Sequence, residues 1–83
     1  MATRDPLRSA FGQAVRARRR GLGWSQEELA EHAGVHRNYV GGVERGERNL
    51  GLLNAFALAR ALGVELSALI ADAEGRIAGI SPD

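Results

Sequence analysis

Leu7, Phe11, Val15 and Leu22 recur along the chain at helical spacing, while Arg8, Arg16, Arg18, Arg19 and Arg20 fall mostly on other faces. The pattern predicts an amphipathic helix over about residues 6 to 20, stopped by Gly21 and Gly23. In the next stretch, Trp24-Ser25-Gln26-Glu27-Glu28-Leu29, Ser25 can cap the backbone N–H of Glu28 while the Glu28 carboxylate reaches back to Ser25. Trp24 before the cap and Leu29 four positions after it complete a hydrophobic staple, which fixes the start of a second helix. Leu29, Ala30 and Ala33 give that helix a narrow inner face, and Gly34 breaks it after about two turns. A third helix follows, with Val35, Val40 and Val43 on its buried side and Gly46 at its end. After the loop Glu47 to Gly51 comes an apolar segment, Leu52 to Leu62, whose inner stripe falls on Leu52, Ala55, Leu58, Ala59 and Leu62. Gly63 closes it, and a short last helix over about Glu65 to Asp72 carries Leu66, Leu69 and Ile70. From Ala73 to Asp83 only Ile77 and Ile80 are strongly apolar, and this stretch reads as a mobile tail. No strand signal, repeat or low-complexity segment competes. The expectation is an all-α domain over residues 1–72 with a C-terminal tail at 73–83.

The chain has 83 residues, 45% of them hydrophobic and 25% charged, which leaves room for one small domain. The absence of cysteine excludes disulfides and thiolate metal sites. Met1 to Arg8 has no apolar run of the kind a signal peptide needs, and Arg60 and Glu65 interrupt the apolar stretch from Ala55 to Ala71. No membrane segment is expected, and the cytoplasm is the default compartment. Net charge is only +1, yet it is unevenly spread. Residues 1–48 hold nine arginines against six acids and residues 49–83 two against four, so the N-terminal part is basic and the C-terminal part acidic. All the basic residues are arginines. Two explanations stand side by side: a GC-rich genome, or the bidentate fork that arginine offers to phosphate and guanine.

Two short helices joined through Gly34-Val35 have the layout of a helix-turn-helix, in which the first helix braces the second at the major groove. The stretch from Gln26 to Gly46 resembles the helix-turn-helix of phage lambda-repressor and Cro-like (Xre-type) regulators, and the similarity extends from about Leu7 to Ile70. Its most specific parts are Ala30, the turn Gly34-Val35, Val40 with Val43, and Glu44-Arg45-Gly46. The run from Arg37 to Asn49 is particularly similar to the small controller proteins of restriction-modification systems. The resemblance implies a compact five-helix domain that binds double-stranded operator DNA as a homodimer, without cofactor. It puts Arg37 and Asn38 at base-contacting positions, and their chemistry agrees, since Arg pairs bidentately with guanine and Asn with adenine. It puts Arg45, Arg48 and Asn49 at the sugar-phosphate backbone, and Gln26 at a position that contacts backbone phosphate and sometimes a base edge. Arg19 and Glu44 match a pair that bridges the first and third helices, with the arginine also near phosphate. Tyr39 either packs against the bracing helix or places its hydroxyl on a phosphate.

Several positions depart from that pattern. Gly41 and Gly42 sit inside the recognition helix, where each costs about 1 kcal/mol relative to alanine. They either admit the helix backbone close to DNA or leave it frayed until DNA orders it. His36 replaces a small polar cap, and Leu50-Gly51 leaves the fourth helix weakly capped. His32 and His36 are separated by the break at Gly34 and have no third ligand, so no metal is expected. No spacing of catalytic groups or phosphate-cradling glycine loop is visible, which argues against an enzyme. With the inner stripe assigned as above, Leu53 and Phe56 point outward, and with Leu66 and Ile70 they form the expected dimer surface; alternatively, Phe56 fills the core. A rival reading, an antitoxin-like interaction module with autoregulatory DNA binding, needs a partner-binding segment, for which only the stretch from Ala73 is available.

Overall fold

The computed structural model describes residues 5–80. Five helices and no strand occur among them: α1 Pro6–Gly21, α2 Gln26–Ala33, α3 Arg37–Glu44, α4 Leu52–Ala61 and α5 Leu66–Ile80. The Asp5 side chain starts α1 by accepting from the N–H groups of Leu7 and Arg8, with Pro6 at the first position, where its missing donor costs nothing. At α2 both halves of the capping box are present, Glu28 N–H donating to Ser25 Oγ at 3.0 Å and Ser25 N–H to Glu28 Oε1 at 2.7 Å. Trp24 packs against the core that contains Leu29, and its ring stacks on His32 with centroids 4.1 Å apart.

The ends of α1 to α4 share one device. Past each helix the chain passes through a glycine of positive φ, and the residue after that glycine donates back to a carbonyl five positions earlier. At Gly34, with φ 72°, Val35 N–H returns to Ala30 O at 3.0 Å, which turns α3 away from α2 within three residues. The imidazole of His36 does cap α3, its Nδ1 accepting from Asn38 N–H at 3.1 Å, whereas α4 starts at Gly51 with no side-chain cap.

The core draws on every helix: Phe11, Ala14 and Val15 of α1, Leu29 and Ala30 of α2, Val40 and Val43 of α3, Leu58 and Ala59 of α4, Leu69 and Ala73 of α5. Helix α1 lies against α3 and α5, while α2 packs on α3 and α4. Two expectations are corrected. Leu52 is 73% exposed. It is the first residue of α4 and projects past the end of the core, where the half-buried Leu50 packs instead. The last helix does not stop at Asp72 but runs on to Ile80, because Ala73 and Ile77 continue the stripe begun by Leu66, Leu69 and Ile70. Asp72 ties this extension down, accepting from Arg76 Nε at 2.8 Å and pairing with Arg18 of α1 at 3.7 Å. The remainder of the expected tail, residues 81–83, lies outside the described residues. No single helix among them is long and apolar enough to cross a membrane, and the apolar pair α4 and α5 is bent by 99°.

Candidate nucleic-acid interface

The side chains singled out in the sequence divide between one buried joint and one exposed surface. The joint centres on Glu44, at the end of α3 and only 4% exposed. Arg19 of α1 donates to it twice, Nε to Oε2 at 2.6 Å and Nη2 to Oε1 at 3.0 Å, while Arg19 Nη1 donates to the carbonyl of Trp24 at 2.7 Å. Arg16 Nε reaches Glu44 Oε1 at 3.3 Å and Gln26 Nε2 reaches it at 3.0 Å. One carboxylate thus fixes α1, the start of α2 and the end of α3 relative to one another. Burial pushes the Glu44 carboxyl up, but the hydrogen bonds from Arg19 and Gln26, the charge of Arg19 and the bond from Arg16 together hold it below the ordinary glutamate value. The hydrogen bond from Glu44 likewise raises Arg19, against the opposing effect of burial, so both partners stay charged.

The pairing of Arg19 with Glu44 is therefore present, and it turns all three guanidinium nitrogens inward. Arg16 and Gln26 join the same carboxylate. Arg16 stands three positions before Arg19 on the same helix face, a spacing that could have revealed it in the sequence. Gln26 donates its amide into the joint, which aims its Oε1 toward Gly41.

On the surface, Arg37 and Asn38 occupy the first turn of α3 and are both exposed, and neither side chain makes a hydrogen bond or ion pair with the described residues. Behind them Val40 and Val43 are fully buried, so the end of α3 that faces outward is held by the part that faces in. Arg45 and Arg48 are exposed at the far end of α3 and in the following loop, with Asn49 exposed beside them. Arg45 Nε pairs with Glu47 at 3.1 Å. Tyr39 is half-buried, and the Arg48 guanidinium lies over its ring with the carbon 5.4 Å from the centroid. Its hydroxyl accepts from Asn54 Nδ2 of α4 at 3.1 Å. Asn54 carried no signal in the sequence, since nothing there places the first turn of α4 beside Tyr39.

The geometry of Gly41 and Gly42 supplies a reason that neither sequence reading offered. A Cβ on Gly41 would stand 3.0 Å from Arg45 Nη1, and one on Gly42 would stand 2.8 Å from Arg48 Nε. The glycines make room for this protein's own arginines, and α3 is a regular helix across both.

A short bracing helix, a sharp left-handed turn and a second helix with an exposed first turn define a helix-turn-helix protein. The chain matches the helix-turn-helix family over residues 15–69 and belongs to it. It is similar to the control protein C.SmaI of Serratia marcescens, with 41% identity over 64 residues that cover 77% of this chain and 76% of that one. It is also similar to the control protein C.BamHI of Bacillus amyloliquefaciens, 43% identical over 60 residues, covering 71% of this chain and 74% of the relative. Among solved structures, the restriction-modification controller protein C.AhdI from Aeromonas hydrophila superposes with a TM-score of 0.73 at 50% identity, over 75% of this chain and 94% of that one.

Proposed function

We propose that the chain is a DNA-binding transcriptional regulator that acts as a homodimer on a pseudo-palindromic operator, without cofactor or catalytic step, in the cytoplasm. One observation carries the reading: Arg37 and Asn38 stand exposed, with no partner among the described residues, on the first turn of a helix whose other side is locked into the core. In this arrangement Arg37 and Asn38 read base edges in the major groove. Arg45, Arg48 and Asn49 contact the sugar-phosphate backbone, Tyr39 supports Arg48, and Gln26 lies at the edge of the contact. Arg19 serves as the brace behind α3. The resemblance of the chain to proteins named as controllers of restriction-modification systems supports a regulator of that kind, whose output follows its own concentration through dimerisation. The antitoxin-like alternative needs a free segment from Ala73, and that residue is buried in α5.

Selection of bound sequences from a random duplex pool tests the reading, and a two-fold symmetric consensus is expected. On the selected duplex, Arg37→Ala should cost about 1 to 3 kcal/mol and flatten preference at one base pair, whereas Arg48→Ala should weaken all sequences alike. An Arg37→Ala variant with unchanged affinity and unchanged base preference would contradict the assignment.

A further inference from the structure

We propose that Gly42 is a positioning residue for phosphate binding: the missing side chain forms a slot in which Arg48 lies across α3, set over Tyr39 before DNA arrives. The inference rests on the phosphate-binding role assigned above to Arg48. Three observations converge on the slot. The end of α3 brings the loop back, since Glu47 N–H donates to Gly42 O at 2.9 Å and so places the next residue, Arg48, beside Gly42. The Arg48 side chain then runs along the glycine, its Nε 2.8 Å and its Cγ 3.1 Å from the point where a Cβ would stand. Beyond the slot the guanidinium reaches the Tyr39 ring, 5.4 Å from its centroid, and Tyr39 is itself held from α4 by Asn54.

A guanidinium held over an aromatic ring by its charge is placed without committing its N–H groups to a hydrogen bond, so they stay free for an acceptor, and phosphate is an acceptor whose geometry the fork matches. Arg48 would otherwise be a long side chain on an exposed loop, losing rotamer freedom at the moment of binding. The slot and the ring remove part of that loss beforehand. Glycine is among the poorest formers of a helix interior, so its presence in α3 calls for a reason of this sort.

Gly42→Ala is the test, because the alanine would meet the far part of a flexible side chain and leave the backbone undisturbed. The full chain would be titrated with the duplex recovered from the random pool and with a mixed-sequence duplex of equal length, over a range of salt. One phosphate contact is worth roughly eightfold in affinity at 0.1 M salt and about 0.9 in the slope of log K against log salt. Gly42→Ala should lose affinity for both duplexes by a similar factor, up to that size, and lower the slope toward that of Arg48→Ala, while melting no lower than the parent. The double variant Gly42→Ala/Arg48→Ala should bind as Arg48→Ala does. Parental affinity and slope in Gly42→Ala, tighter binding, or losses that add in the double variant would each overturn the slot. If Arg48→Ala itself left affinity and slope unchanged, the phosphate role of Arg48 would fall and the slot with it; a silent Gly42→Ala beside a weakened Arg48→Ala would reject the slot alone. Should the alanine variant fail to fold, Arg48→Lys decides. It keeps the charge but loses the planar fork, so binding equal to the parent would overturn the proposal and weaker binding to both duplexes would support it.

Discussion

Glu44 is the residue on which the placement of α3 depends most. Its side chain has no solvent exposure and accepts from Arg19, Arg16 and Gln26. Truncating it to alanine leaves Arg19 buried without its counter-charge, which should cost about 3 kcal/mol or more in denaturant unfolding. Its carboxyl titrates below the ordinary glutamate range in the folded chain. A depressed folded-state pKa contributes stability that is complete above the unfolded value and is lost as pH falls through the folded one. The melting temperature should hold from neutral pH down to about pH 5 and drop below that, and Glu44→Gln, less stable at neutral pH, should show a shallower drop. An equally steep acid transition in that variant would place the responsible carboxylates elsewhere. A second residue, Gly12, sets the approach of α1 to α3. A Cβ there would stand 2.8 Å from the Glu44 carbonyl oxygen and run into that of Val43, both of them backbone atoms that cannot swing aside. Gly12→Ala should therefore destabilise by about 2 kcal/mol despite the better helix propensity of alanine. The same substitution at Gly42 should not. A stability at or above the parent's in Gly12→Ala would show that the two helices can separate freely.

At the scale of the helices, the local signals were legible because they are made of neighbours in sequence. The capping box at Ser25 and the stops at Gly23, Gly34, Gly46 and Gly63 are set by residues within five positions of one another, and all five sit where the sequence puts them. The exposed first turn of α3 was legible for the same reason, through a motif contained in a single stretch. Features that depend on distant partners were not. Asn54 meets Tyr39 across 15 positions and nothing local announces the contact, while Arg16 meets Glu44 across 28 and only its place three residues before Arg19 hints at it. The end of α5 was not legible because only Ile77 and Ile80 are strongly apolar beyond Asp72, whereas Ala73 is buried in the core and Ile77 packs against it, on a helix that lies against α1, and this packing holds the helix together. A chain truncated after Asp72 should accordingly lose about 2 kcal/mol or more, since it forfeits the buried Ala73, the half-buried Ile77 and the Arg76 bond to Asp72. A truncated chain that melts with the full-length one would mean that the extension contributes nothing to the core.

At the scale of the whole molecule, the remaining question is what covers the outer face of α4. Leu52, Leu53 and Phe56 are 73%, 82% and 48% exposed, and their spacing puts all three on one side of the helix. Leu66 and Ile70 of α5 are half-buried, packed against the core with part of their surface still in solvent. Three large apolar groups on a single short helix are more than a monomer of this size ordinarily leaves in water. A closed two-fold dimer buries such a patch against its own copy and needs no second kind of surface. It also answers the requirement at the other side of the molecule, where one recognition helix reads too few base pairs for specificity and two of them, about 34 Å apart, read a symmetric site. We expect Leu53, Phe56, Leu66 and Ile70 to form this interface, with Leu52 at its edge. Phe56→Glu places a charge at the centre of the patch on a side chain that the core does not need. It should give a monomer in sedimentation experiments, folded with the parental helix content and binding the selected duplex at least tenfold more weakly, equivalent to about 1.4 kcal/mol. A variant that remained dimeric would move the interface to another face, and an unfolded one would show that the ring supports the core more than its exposure indicates.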